Sequence, residues 1–255
     1  MNRLLDGKVV IVTGAARGIG RAAALAVAKA GASVALTDRD EAAVLEAANE
    51  IVSLGGSAIA IPGNVAHEAD VARVVGATVE RYGRLDGAFN NAGVEQRNTP
   101  LHELSEEQWD FVININLKGV FFCMKHQIAA MLPSGGGSIV NASSSLGRVG
   151  IPNASEYCAS KGGVLGLTKG AALDYGMNNI RVNAVLPGVI RTPMIESLIS
   201  QPQFSALLPA LEARHPIGRL GMPSEVADAV VWLLSDSSSF VHGAEIAVDG
   251  GYLAI

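Results

Sequence analysis

The side chains best suited to do chemistry are Ser144, Tyr157 and Lys161. Tyr157 and Lys161 stand four apart in Ser155-Glu156-Tyr157-Cys158-Ala159-Ser160-Lys161, and Ser144 lies thirteen residues before the tyrosine. Residues 162–175 are apolar with helical spacing. On a helix, positions four apart share a face, so the phenol and the ammonium can converge on one point. A tyrosine near its ordinary pKa of about 10 is a poor base at neutral pH. A lysine held beside it favours the phenolate, and a positively charged nicotinamide ring would push the same way. A serine hydroxyl there could donate to a substrate oxygen as negative charge develops on it. These are the parts of a site that exchanges a proton and a hydride. Taken alone, Tyr-x-x-x-Lys is short and common, and describes a helical tyrosine next to a solvated lysine. Its meaning depends on the elements that would position it.

The first of these is a strand, a glycine-rich turn and a helix. Val9-Val10-Ile11-Val12 is a β-branched run, as expected of a strand buried on both faces. It runs into Thr13-Gly14-Ala15-Ala16-Arg17-Gly18-Ile19-Gly20, and an alanine-rich helical stretch follows over 21–30. Glycines let the backbone approach an anion, and a helix N-terminus offers unpaired N–H groups. The spacing is G-x-x-x-G-x-G rather than the commoner G-x-G-x-x-G. A second strand over 33–36 ends at Thr37-Asp38. A carboxylate here can accept from an adenosine ribose and would repel a 2′-phosphate, which points to NAD. Arg17 and Arg39 pull the other way, since either could reach a phosphate; Asp38 could equally cap a turn or helix.

Further along, the periodicity predicts helices over 41–54 and 67–82, strands over 57–61 and 85–89, and one long helix over 105–131 opened by the capping signal Ser105-Glu106-Glu107-Gln108. Asn90 and Asn91 are expected to satisfy backbone groups at a strand end. Of Asn114 and Asn116, set among apolar residues, at least one should face a polar site. Strand 138–142 leads into Ser143-Ser144-Ser145, where open α/β sheets place ligands, although serines after a strand also serve turns. Strand 180–186 reaches Pro187-Gly188, and residues 189–216, broken by prolines, suit a lid. A helix over 223–234 and a strand over 245–248 close one domain, 1–255, with a parallel sheet.

Composition narrows the class. Hydrophobic residues are 49% and charged residues 17% of the 255, enough for several buried strands. A net charge of -5 with no basic run argues against nucleic-acid binding. Two cysteines, Cys123 and Cys158, make no disulfide framework and suit a reducing compartment. Neither a signal peptide nor a membrane span is expected, which makes the cytoplasm the default, and the five histidines show no metal-ligand spacing. Cys158 reads as a small packed residue; Glu95 and Glu156 read as solvated surface or as the pocket rim.

The glycine turn, Asn90-Asn91-Ala92-Gly93, Asn116, Ser144, Tyr157, Lys161 and Pro187-Gly188 together resemble the short-chain dehydrogenase/reductase family, over about residues 5–255. The resemblance implies a Rossmann-like, doubly wound, seven-stranded parallel sheet flanked by helices, a nicotinamide cofactor and a homotetramer. It makes Tyr157 the acid/base and Ser144 the ligand of the substrate oxygen. Lys161 would bind the nicotinamide ribose and lower the tyrosine's pKa, and Asn116 would hold a water linking Lys161 to solvent, leaving Asn114 structural. Gly14, Arg17, Gly18, Ile19, Gly20 and Asp38 would hold the pyrophosphate and adenosine end, with Asn64, Val65, Asn91 and Gly93 lining it. Pro187 and Gly188 would back the nicotinamide, with Ile190 and Thr192 at its carboxamide. Asn64 departs from the aspartate common there, whose side chain faces the adenine.

Later segments, among them Arg191-Thr192-Pro193-Met194 and His215-Pro216-Ile217-Gly218-Arg219, look most like dehydrogenases of cyclic alcohols and diols. Met194, Ile195, Leu198, Ile199, Phe204, Leu207 and Leu208 would give a lid suited to an apolar ring. The rivals are an NADPH-dependent 3-oxoacyl thioester reductase and a dinucleotide-sensing protein without turnover. A hydrolase would need a G-x-S-x-G elbow, which the sequence lacks.

Overall fold

A computed structural model describes residues 3–193, 195–196 and 208–255. The β-branched runs form seven strands: β1 Val9–Thr13, β2 Ser33–Thr37, β3 Ser57–Ala60, β4 Gly87–Asn90, β5 Gly137–Ala142, β6 Ile180–Pro187 and β7 Glu245–Val248. They pair in the order β3-β2-β1-β4-β5-β6-β7, and every pair is parallel. Such a sheet must be covered on both faces, and the side-chain period of two divides each strand between them. Val10, Val12, Val34, Leu36, Phe89, Val140 and Val185 face one core cluster. Ile11, Ala35, Ala88, Ile139 and Val182 face the other.

Helices α1 Gly18–Lys29 and α2 Glu41–Ser53 cover the first face, with the helix Pro223–Leu234 packed closely against α1. α3 Glu68–Tyr82, α5 Gly119–Met131 and α6 Ser155–Tyr175 cover the second. α4 Glu106–Ile113 precedes α5; α7 Leu208–Ala213 precedes the last helix, α8 Pro223–Leu234. The chain winds outward from β1 to β3, then restarts at β4 beside β1. That reversal opens a crevice at the carboxyl ends of β1 and β4, where open α/β sheets bind ligands.

The long helix expected over 105–131 is interrupted. α4 has its capping box, with Ser105 accepting from Gln108 N–H and Gln108 accepting from Ser105 N–H. Between α4 and α5, however, Asn114–Lys118 is a π-helical turn. A π-turn carries an extra residue and leaves no signature in apolar spacing. Here it holds the fully buried Asn116.

Asn90 does not serve backbone groups, as expected, but other side chains. Its Nδ2 donates to Gln127 Oε1 at 3.0 Å and to Asn141 Oδ1 at 2.9 Å, and its Oδ1 accepts from Gln127 Nε2 at 2.7 Å. Asn141 Nδ2 in turn donates to Thr168 Oγ1 at 3.0 Å. The four side chains tie β4, β5, α5 and α6 together in the core. Of the expected lid, Met194, Leu198, Ile199, Phe204 and Leu207 lie outside the described residues; Ile190 bridges to Gly221, and α7 begins at Leu208.

Asn90→Ala would strand the Gln127 and Asn141 groups where water cannot reach them. A loss of about 2–4 kcal/mol is expected from unsatisfied buried amides, to be measured as a drop in the urea midpoint at unchanged slope.

Candidate active site

The crevice begins at the glycine turn. Gly14 has φ +64, and a Cβ on it would come within 2.8 Å of Ala92 Cα. A Cβ on Gly20 would meet Gly14 O at 2.0 Å. Both glycines are therefore required by the tightness of the turn, which brings β1 against the strand end at Asn91. Asn91 locks that approach, its Nδ2 donating to Thr13 O at 3.1 Å and Gly14 O at 3.2 Å. Gly18 has φ +55 and lies against Thr192, whose Cγ2 would be 3.1 Å from a Cβ there. Residues at opposite ends of the chain thus border one groove. The N-terminus of α1 has no side-chain cap from Arg17. Its N–H groups are available to an anion, and the turn and helix fit a dinucleotide's pyrophosphate.

At the end of β2, Asp38 Oδ2 accepts from Ala16 N–H at 3.2 Å and Oδ1 from Asp40 N–H at 3.0 Å. The α2 cap is Asp40, which accepts from Ala43 N–H at 3.1 Å. Asp40 also pairs with Arg17 at 2.5 Å. Asn64 accepts from Ala66 N–H through its side-chain oxygen, so that atom serves its own turn. Val65 is buried beneath it, against Gly119.

The catalytic candidates meet at the carboxyl end of β5. All three serines hold the turn there. Ser143 Oγ donates to Lys161 O at 2.8 Å, and Ser145 Oγ donates to Pro187 O at 3.2 Å. Ser144 Oγ accepts from Leu146 N–H at 3.1 Å, and the same hydroxyl pulls the pKa of the Tyr157 phenol down. Ser144 thus serves the turn from a position next to the Tyr157 phenol. Lys161 is buried, donates from Nζ to Ala142 O at 2.9 Å, and sits 5.7 Å from the Tyr157 ring centroid. Its burial pushes the ammonium down to about 8.

The tyrosine departs from expectation. Burial pushes the Tyr157 phenol up to about 12; Ser144 pulls it down, while the charges of Glu95 and Cys158 push it further up. Lys161 donates its Nζ to a carbonyl and holds it over the ring. The protein's own groups hold the phenol protonated.

Asn116 contributes by fastening. Its Oδ1 accepts from Val94 N–H at 2.8 Å, and its Nδ2 donates to Val94 O at 2.9 Å and Ser160 Oγ at 3.3 Å. Gly93 lies beside it: a Cβ there would be 3.2 Å from Asn116 Oδ1 and 3.5 Å from Lys161 Nζ. Gly188 follows β6 so closely that a Cβ would be 2.8 Å from His215 Nε2. Ile190 is buried nearby.

Two positioning residues escape a reading by residue type. Glu156 is fully buried rather than solvated, and accepts from Arg97 N–H at 2.6 Å. His215 accepts from Val189 N–H at 3.0 Å and donates from Nδ1 to Leu211 O at 2.9 Å. It therefore fixes the loop after Pro187-Gly188. The conspicuous segment His215-Pro216-Ile217-Gly218-Arg219 was its only signal. No cluster of three metal-ligating side chains occurs among the described residues, and no described helix is long and apolar enough to cross a membrane.

A doubly wound sheet, an uncapped helix behind a glycine turn, and serine, tyrosine and lysine at the same crevice are the marks of an oxidoreductase that uses a nicotinamide dinucleotide. The chain belongs to the short-chain dehydrogenase/reductase family: residues 14–253 match the family described as enoyl-(acyl carrier protein) reductase. It is 46% identical over 253 residues to a 2,5-dichloro-2,5-cyclohexadiene-1,4-diol dehydrogenase of Sphingobium indicum, covering 98% of this chain and 99% of that protein. It is 43% identical to a 3-oxoacyl-[acyl-carrier-protein] reductase of Thermotoga maritima, over 97% of this chain and 98% of that one. The crystal structure of a levodione reductase superposes with a TM-score of 0.94 at 36% identity, over 98% of this chain and 99% of that one.

Lys161→Met removes a buried charge, and is expected to melt at or above the wild-type temperature at pH 7 while losing turnover. The folded pKa, about 8, lies below the ordinary lysine value of 10.5, so the folding penalty on the charge is complete below pH 8 and fades as pH rises toward 10.5. The wild type should therefore gain stability relative to Lys161→Met across that window, as followed by thermal melts.

Proposed function

We propose that this protein reversibly oxidises a secondary alcohol, on an apolar ring and in some substrates a diol, with NAD. The observation that carries this reading is the convergence of Ser144, Tyr157 and Lys161 at the crevice that the glycine turn opens. Gly14, Gly18, Ile19 and Gly20 hold the pyrophosphate against the α1 N-terminus. Asp38 receives the adenosine ribose, with Asn64, Val65, Asn91 and Gly93 around the adenosine. Lys161 binds the second ribose, and Pro187, Gly188, Ile190 and Thr192 hold the nicotinamide. Bound NAD supplies the acceptor for a hydride leaving the carbinol carbon, and a positive ring that favours the phenolate.

Tyr157 takes the hydroxyl proton. Ser144 donates its hydrogen bond to the oxygen that gains charge, and Lys161 adds its positive field. General-base transfer of this kind contributes about a hundredfold to ten-thousandfold, with positioning responsible for the rest. The Asn116 amide is engaged with Val94 and Ser160, so a proton relay there would rest on a water at its main-chain carbonyl.

Arg17 supports NAD over NADP. Its guanidinium is paired with Asp40, and Asp38 adds a second carboxylate where a 2′-phosphate would sit. The relative named for a chlorinated cyclohexadiene diol supports a ring substrate. The Thermotoga relative favours a second reading, reduction of a 3-oxoacyl thioester with NADPH. A sensing role without turnover is disfavoured because binding a dinucleotide requires no phenol base. The exposed apolar side chains Phe121, Leu173, Met177 and Phe240 are surface that a homotetramer would cover, and the cytoplasm suits two cysteines with no disulfide.

Tyr157→Phe is expected to lower turnover by at least a thousandfold while NADH still binds, as read by fluorescence titration; near-wild-type turnover would remove the assignment. Side-by-side kcat/KM values are expected to favour NAD over NADP by at least tenfold, and a strong NADPH preference would transfer the case to the thioester reductase.

A further inference from the structure

The loop after β4 is fastened on either side of one carboxylate, that of Glu95. Asn116 holds the backbone of Val94 with two hydrogen bonds, and three residues later the buried Glu156 carboxylate accepts from Arg97 N–H at 2.6 Å. Between these points stands Glu95, half-buried, with no hydrogen bond or ion pair among the described residues. Burial is the only influence raising its pKa. The closest cation in sequence, Arg97, is turned away, its guanidinium carbon 4.1 Å from the centroid of the Phe111 ring. The Glu95 charge nevertheless reaches the Tyr157 phenol, and Gly93, two residues earlier, lies beside Lys161 Nζ. A half-buried carboxylate with no donor among the described residues, two residues past the glycine that borders Lys161 Nζ, is matched to a donor arriving with the substrate.

We infer that Glu95 determines specificity at this site by accepting a hydrogen bond from a second hydroxyl of the substrate. The same charge repels substrates whose ring carries a carboxylate. The inference rests on the alcohol-oxidising reading above and narrows it to diols. It also carries a consequence for the base. The groups that act on the phenol are the Ser144 hydroxyl, the Cys158 thiol and Glu95, with the Lys161 ammonium over the ring and Glu156 on the same helix. Of these, Glu95 and Cys158 oppose ionisation, so recognition of the second hydroxyl works against the basicity of Tyr157.

The test compares cyclohexanol, cyclohexane-1,2-diol and 4-hydroxycyclohexanecarboxylate as substrates with NAD, for the wild type and for Glu95→Gln, Glu95→Ala and Glu95→Asp. The wild type should prefer the diol. In Glu95→Ala the diol-to-cyclohexanol ratio of kcat/KM should fall about tenfold, the scale of a lost hydrogen bond to a charged group. Glu95→Asp should restore part of the ratio, and relative activity on the carboxylate should rise. Glu95→Gln should also move the rising limb of the oxidation pH profile to lower pH, a shift that a merely structural role would not produce. Retained NADH binding establishes that the variants fold. Unchanged ratios and an unmoved limb in an active enzyme would overturn the inference. Wild-type inactivity on every alcohol would instead overturn the reading beneath it, and the inference with it.

Discussion

The arrangement of the site turns on keeping one ammonium where water cannot solvate it. Burying the Lys161 charge is costly, and among the described residues its one hydrogen bond goes to the Ala142 carbonyl at the end of β5. That contact fixes the distance between sheet and helix. Ser143 clamps α6 from the other side by donating to the Lys161 carbonyl. Gly147 and Gly163 let the neighbouring backbone close in: a Cβ at Gly147 would meet Ser143 Oγ at 2.7 Å, and one at Gly163 would meet Leu117 Cδ2 at 2.8 Å. The Ser143–Ser145 turn and the π-turn are therefore both drawn against the helix that carries Tyr157 and Lys161. A charge kept at a stability cost, with its supports arranged around it, is the sign of a functional rather than a structural lysine.

A second tie holds the two halves of the sheet in register at the crevice. Thr13 Oγ1 accepts from both Asn91 and Ala92 N–H groups at 3.0 Å, while the Asn91 side chain returns bonds to the β1 end. The glycine turn and the β4 loop are thereby one body. Motion of either would move the pyrophosphate groove and the substrate side together, which is the geometry that a direct hydride transfer demands.

What the sequence reveals follows from how local its causes are. β-branched runs, the Ser105 capping signal and the proline at the start of α8 are local, and the strands and helices lie where they indicate, to within a few residues. The crevice was legible too, because strand, glycines and helix are contiguous. Three features were not. The π-turn at Asn116 depends on an extra residue that apolar spacing does not register. Asn90 pairs with side chains 37 and 51 residues away, and nothing at a strand end announces a partner at that distance. Glu156 looks like a solvated carboxylate until the β4 loop folds over it. The burial of the Tyr157 phenol was not legible for a related reason: spacing brings Lys161 near the ring, but only the fold decides how far water is kept from the phenol, and that burial pushes its pKa up.

That sign has a wider consequence for how the work is divided. Ser144, Tyr157 and Lys161 sit on or beside long, well-packed elements, whereas Glu95 sits on a connecting loop held by Asn116 and Glu156. Loops on a rigid scaffold vary most easily, so substrate choice can change without disturbing the proton-handling groups. Electrostatics limits this independence, because any acidic residue on that loop raises the phenol's pKa and weakens the base. On the proposed reading, charge-based recognition of the substrate and strength of the base are coupled through the space between them. A chain that keeps a carboxylate there would recover phenolate from positive charge, that of Lys161 over the ring and that which a bound oxidised nicotinamide would supply.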